Sequence, residues 1–124
     1  MTKKFSKEHE WIEMAGDVGT VGITNYAQEK MGDVVFVELP KVGATAAQND
    51  QIAVVESVKA ASEIYAPVAG TITAVNDALV KEPQLVNQSA EDKGWFFKIK
   101  IANPQELDAL MDAAAYEKFT AAEG

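Results

Sequence analysis

One stretch of the chain occurs twice. Pro40, Gly43, Ala47, Asn49 and Asp50 recur at a constant offset of 27 residues as Pro67, Gly70, Ala74, Asn76 and Asp77. Five identities across eleven aligned positions stand against roughly one expected from average residue usage. Each copy reads as a Pro-x-x-Gly turn, a short strand and an Asn-Asp turn. Two copies are too few for a solenoid, which needs at least about three units to bury a continuous core. The pattern therefore predicts one small β-domain over residues 1–124, built of two similar halves packed face to face. Gly43 and Gly70 are expected at positive φ in equivalent turns.

Between the copies runs 51–66, with β-branched and aromatic residues at both ends in Ile52, Val54, Val55, Ile64 and Tyr65. Its centre has no Gly, Pro, Asn or Asp. If the ends pair as a hairpin, the chain reverses near Val58-Lys59-Ala60 and Lys59 stands at the tip without the usual turn chemistry. Upstream, 11–14 and 18–23 flank Ala15-Gly16-Asp17 and predict a second hairpin. Thr24 or Asn25 caps a short helix over 26–31, and Gly32 ends it. A strand follows over 33–39, with Val35 and Val37 on one face and Val34, Phe36 and Glu38 on the other.

Downstream, 76–89 reads as irregular and is broken by Pro83, and 95–101 alternates as a half-buried strand. Asn103, Pro104 and Glu106 mark a helix start over about 104–120. Leu107, Leu110, Met111 and Ala114 would form its apolar stripe, with Tyr116 and Phe119 completing the contact with the sheet. The core motif is expected over about 18–101.

Charge and residue inventory exclude several classes. Eleven Lys and Arg against nineteen Asp and Glu leave a net charge of −8, which repels phosphate backbones and anionic lipid. No nucleic-acid or membrane partner is expected. No apolar run approaches a membrane span, and the amino terminus has no h-region, so a cytoplasmic protein is expected. There is no cysteine, hence no disulfide, thiolate metal site or thiol nucleophile. The single imidazole is His9, best read as an edge-strand residue beside a core Trp11. Neither a Walker loop nor Gly-x-Gly-x-x-Gly is present. The expectation is a protein that is not an enzyme and binds no metal.

Lys59 remains. A tip lysine is ordinarily a hydrated surface charge. Here it stands at the centre of the repeat, between the small or apolar Val58 and Ala60-Ala61, with Glu56 and Glu63 on either side. A free lysine amine is protonated at neutral pH and is a poor nucleophile unaided. Acylated, it loses its charge and becomes a long tether. One lysine on the tip of a rigid hairpin suits a carrier of a covalently attached cofactor.

Glu56-Ser57-Val58-Lys59-Ala60, followed by 64–70, resembles the attachment motif of lipoyl and biotinyl carrier domains. Biotin carriers usually have Met on both sides of the lysine, and lipoyl domains of 2-oxoacid dehydrogenases usually have Asp before it. With Ser-Val before and Ala after, this chain resembles the glycine cleavage H-protein family. The resemblance extends through His9-Glu10-Trp11, Val21-Gly22-Ile23-Thr24, Ala27-Gln28, 32–40, Val75-Asn76, Leu85-Val86-Asn87, Gly94-Trp95, Lys98-Ile99-Lys100 and Glu106-Leu107.

That resemblance implies an all-β hybrid barrel-sandwich with short helices, an N-terminal hairpin extension and a C-terminal helix. It implies lipoate joined by an amide to Lys59 within the motif Glu56, Ser57, Val58 and Ala60. Glycine decarboxylase, a pyridoxal-phosphate enzyme, would load an aminomethyl group onto the arm. An aminomethyltransferase would pass the one-carbon unit to tetrahydrofolate, and FAD-dependent dihydrolipoamide dehydrogenase would reoxidise the dithiol. A lipoate ligase or octanoyl transferase would attach the arm, and the carrier is expected as a monomer. The family folds the loaded arm into a cleft, for which Glu10 is the expected carboxylate, with Glu63 contributing and Tyr26 standing where some members have His. Alternatives are a lipoyl carrier or donor serving other complexes, and a non-carrier interaction module with Lys59 merely exposed.

Overall fold

In the computed structural model, which describes residues 2–123, strands of two antiparallel sheets enclose the core. Along the chain come β1 (Thr2–Phe5), β2 (Glu10–Ala15), β3 (Val18–Ile23), α1 (Asn25–Met31) and β4 (Val34–Glu38). Then follow β5 (Thr45–Ala46), β6 (Gln51–Ser57), β7 (Ala61–Tyr65) and β8 (Gly70–Val75). Short helices α2 (Ala78–Lys81) and α3 (Leu85–Gln88), strand β9 (Phe97–Ile101), a 3-10 helix (Pro104–Ala109) and α4 (Ala113–Glu123) complete it. The larger sheet has the order β1-β2-β3-β9-β8-β5, and the smaller has β4-β6-β7. This is the flattened barrel-sandwich expected from the sequence.

The core follows from the alternation of each strand. Ile12, Val21, Ile72, Phe97 and Ile99 from the larger sheet share one buried cluster with Val37, Val55 and Ile64 from the smaller. Leu79 on α2 and Val86 on α3 join it, so the segment 76–89 read as irregular supplies two buried anchors. Burying such a side chain is worth about 1.5–3 kcal/mol. A second cluster covers the outer face of β2, where Phe5, Trp11 and Tyr116 pack together with Phe119 against them. The rings of Phe5 and Tyr116 stack at 4.7 Å. β1, unforeseen in the sequence, pairs with β2 from Thr2↔Met14 to Phe5↔Trp11.

Three local expectations change. The strand over 33–39 does not alternate cleanly, because a bulge between Val34 and Phe36 shifts its register against β6. Val34 and Val37 are therefore buried, while Val35 and Phe36 face out. The helix over 104–120 is two pieces. Phe5 and Met111 exchange both backbone hydrogen bonds at 2.8 Å, which pulls Leu110–Asp112 out of helical geometry. Asn103 does cap the first piece, but Glu106 reaches away to accept from Ala69 N at 2.8 Å instead of closing a capping box.

The third change concerns the repeat. The two copies lie side by side in one sheet, with Thr45↔Thr71 and Ala46↔Gly70 paired antiparallel. Gly43 has φ +92 in its turn, as expected. Gly70 is a strand residue and is not left-handed. A Cβ there would collide with the carbonyl oxygen of Lys100 and meet Ile99 Cγ1 at 2.8 Å. Glycine is required at Gly70 by close approach and at Gly43 by conformation.

Candidate functional site

β6 and β7 pair through Val54↔Glu63, Val55↔Ser62 and Glu56↔Ala61, and Ser57 N donates to Ala60 O at 2.8 Å. Two residues remain for the loop, Val58 and Lys59. Among the described residues the non-glycine positions with positive φ are His9 and Asn49, so this loop makes its reversal without the left-handed residues that two-residue hairpins usually use. Ser57 replaces them. Its Oγ accepts from Lys59 N and Ala60 N, each at 3.2 Å, so the hydroxyl supplies the acceptor that a tighter turn would find in its own backbone. Val58 N donates to Asp33 O at 3.0 Å, which ties the tip to the segment joining α1 and β4.

Lys59 is exposed at the tip, and its stem lies over Gly32. A Cβ on Gly32 would sit 3.3 Å from Lys59 Cε and 3.6 Å from Cδ. Gly32 also has φ +85 as the residue closing α1, where its N–H donates to Gln28 O. Glycine serves there twice, ending the helix and leaving bare backbone under the lysine.

Beside the tip opens a cleft of about 410 Å³. Ile23, Ala27, Met31 and Ile64 give it apolar walls, and Lys59 and Ala60 stand at one side. Its polar rim includes Glu8, His9, Tyr26, Lys30 and Glu63. Tyr26 and Glu63, named from the sequence, do line it. Glu8, Lys30 and Met31 were missed, although 26/30 and 27/31 are helical i, i+4 pairs that place four side chains on one face of α1. His9 is not an edge-strand residue. It sits at φ +68 before β2, with its ring 4.8 Å from Tyr26 and Nδ1 2.8 Å from Tyr116 Oη. Tyr116 Oη also lies 2.7 Å from Thr24 Oγ1, so α4 braces the residue that caps α1.

Glu10 is the correction. It does not line the cleft but is buried at 2% exposure, because β2 turns its side chain inward. Oε1 accepts from Ser6 Oγ at 2.7 Å and Oε2 from Tyr65 N at 3.0 Å. Burial pushes its pKa up to about 7, against the opposing pull of the Ser6 and Tyr65 hydrogen bonds. Glu10 is therefore a bracket between β2 and the end of β7. On the exposed side of β7, Tyr65 Oη donates to Glu63 Oε2 at 2.8 Å, and that hydrogen bond raises the phenol's pKa. Glu56 is half-exposed on β6, opposite Ala61 on β7 and Phe36 on β4. Among the described residues no cluster of three or more His, Cys, Asp or Glu could hold a metal ion, and no helix is long and apolar enough to cross a membrane.

The arrangement offers one exposed amine on a fixed tip, a backbone seat under its stem, and a neighbouring cleft with apolar walls and carboxylates at its rim. Comparison with known proteins is consistent along the whole chain. A family model for the glycine cleavage H-protein matches residues 3–123. The glycine cleavage system H protein of Paramagnetospirillum magneticum is 58% identical over 118 residues, covering 95% of this chain and 94% of that protein. Its counterpart in Bradyrhizobium diazoefficiens is 58% identical over 120 residues, covering 97% and 98%. The crystal structure of a glycine cleavage system H protein from Mycobacterium marinum superposes with a TM-score of 0.90 at 32% identity, over 97% of each chain.

Proposed function

The chain belongs to the glycine cleavage H-protein family, the lipoyl carriers of the glycine cleavage system, and we propose that Lys59 is the lysine that carries its lipoate. The bound group supplies a dithiolane that opens to accept electrons and a one-carbon unit. The chain's own residues fit it. Gly32 leaves room for the stem of Lys59, and Ile23, Ala27, Met31 and Ile64 offer an apolar wall to hydrocarbon and sulfur. Glu8 and Glu63 place negative charge at the rim, where an amine-bearing cargo is held by charge-assisted hydrogen bonds. Tyr26 closes the cleft against His9. Glu10 does not line the cleft, and its two oxygens accept from Ser6 Oγ and Tyr65 N.

The carrier works with the other components of the system. In this reading those are a pyridoxal-phosphate glycine decarboxylase, a tetrahydrofolate-dependent aminomethyltransferase and an FAD-dependent dihydrolipoamide dehydrogenase, which meet the same arm in turn in the cytoplasm. A lipoate ligase or octanoyl transferase loads Lys59, and the carrier catalyses none of these steps. The observation that carries the reading is the position of Lys59, exposed in a two-residue loop whose neighbours are all anchored and whose stem lies on Gly32. The test is intact mass after incubation with lipoate, ATP and a lipoate ligase, followed by peptide mapping. One lipoyl group is expected in the parent and none in Lys59→Ala. Lipoate found on Lys41, Lys81 or Lys93 in the parent would overturn the assignment.

A further inference from the structure

The seat beneath Lys59 is held from a distance. Asn87, half-buried on α3, lies outside the cleft lining, yet the hydrogen bonds of its carboxamide all go to the α1–β4 segment. Its Oδ1 accepts from Val34 N at 2.8 Å, and its Nδ2 donates to Gly32 O and to Gln28 Oε1, both at 2.9 Å. The residue enclosed by this grip is Asp33, whose carbonyl accepts from Val58 N. A segment containing a left-handed glycine loses much conformational freedom on ordering, and three hydrogen bonds from one rigid amide offset that loss. The amide's two donors meet two oxygens, and its oxygen meets an N–H. An isosteric carboxylate would set oxygen against oxygen at the backbone carbonyl of Gly32, which cannot turn away as the Gln28 amide can.

We propose that Asn87 is a positioning residue for the attachment site: it clamps Gly32 and Val34, and through Asp33 O···H–N Val58 it fixes where the tip presents Lys59. This rests on Lys59 being the acceptor, but the clamp is testable without any attached group. Without Asn87 the seat moves as a unit with the tip, while the body of the β6–β7 ladder, held by its own hydrogen bonds, does not.

The experiment compares backbone amide hydrogen exchange in the unmodified parent, Asn87→Ala, Asn87→Asp and Gln28→Ala. Leu107→Ala serves as a packing control near the β2–β3 turn. Val58 N–H is expected to exchange about tenfold faster in both Asn87 variants and about twofold to threefold faster in Gln28→Ala. Val55 N–H should stay at the parent rate, and Leu107→Ala should leave Val58 untouched. With a lipoate ligase, kcat for attachment to Asn87→Asp should fall about tenfold while KM for the carrier stays within about twofold, because the amine is misplaced and the recognised face is not. Unchanged Val58 exchange in folded Asn87 variants would overturn the proposal. If both fail to fold, unchanged Val58 exchange in Gln28→Ala overturns it. A parent that takes no lipoate on Lys59 would refute the acceptor assignment, and the exchange measurement would still decide the clamp.

Discussion

Two of the molecule's hairpins, β2–β3 and β6–β7, turn by different means. β2–β3 reverses at Gly16-Asp17, with Gly16 at φ +65 and nothing within 4 Å of where its Cβ would stand. That turn is encoded by the residues in it. β6–β7 reverses at Val58-Lys59, residues poorly suited to a tight turn, and is held by the Ser57 hydroxyl and the Asp33 carbonyl. Its turn is encoded by its surroundings. The difference follows from what each loop does. A loop that must present a lysine cannot also carry glycine and asparagine there, so the stabilising groups move to neighbouring residues. Glu10 then joins the two, since it begins β2 and grips Tyr65 N at the end of β7.

The sharpest way to break this comparison is to exchange the lysine between turns. The double variant Lys59→Arg with Asp17→Lys should fold and take no lipoate at all, by intact mass with the ligase, because the first hairpin has neither the glycine seat that lies under the stem of Lys59 nor the attachment motif around it. Modification at position 17 would mean that any tip lysine suffices. Next in size is the bracket. With a folded pKa of about 7 against 4.5, Glu10 binds its proton more tightly in the folded chain. The stability this confers is complete below pH 4.5 and is lost as pH rises through about 7, up to about 3 kcal/mol. Urea midpoints from pH 4.5 to 8 should therefore fall in the parent, and Glu10→Gln should flatten that decline. An equal slope in both would remove the bracket from the account.

Smaller effects separate the turns themselves. Ser57→Ala leaves two loop amides without their acceptor and should lower stability by about 2 kcal/mol by chemical denaturation. It should also slow lipoylation. Gly16→Val should cost about 1 kcal/mol, from backbone strain alone, and leave the rate of lipoylation unchanged. If Gly16→Val slowed attachment as much as Ser57→Ala, the two turns would not be functionally distinct.

What could be read from the sequence divides along the same line. Thr24 caps α1 and Gly32 closes it as expected, because caps are decided by residues within one turn. Lys59, Tyr26 and Glu63 were named from the family resemblance, and all three line one cleft in the structure. The bulge at Val34–Phe36 was not legible, since register is set by β6 and not by the alternation within β4. Nor was the break in the C-terminal helix, which depends on Phe5 pairing with Met111 across most of the chain. Glu10 was misplaced for a related reason. A motif shows that a carboxylate is wanted, but only packing shows which way β2 turns it. Gly70 was read as a turn residue because its copy Gly43 is one, whereas its constraint is the backbone of β9 across the sheet.

The bulge in β4 bears on how this molecule behaves in a crowded solution. β4 is an edge of the smaller sheet, and its Val34-Val35-Phe36-Val37 run is the kind of apolar, β-prone segment that stacks in register with copies of itself. A straight strand there would present an unbroken ladder to any passing chain. The extra residue at Val34–Phe36 interrupts the spacing of donors and acceptors, and Glu38 adds a charge at the end of the strand. With eight net negative charges on every copy, two molecules repel before their edges can align. The irregularity that obscured the strand's faces in the sequence thus works against self-association, leaving Val35 and Phe36 exposed beside the attachment hairpin without making that edge a template for fibrils.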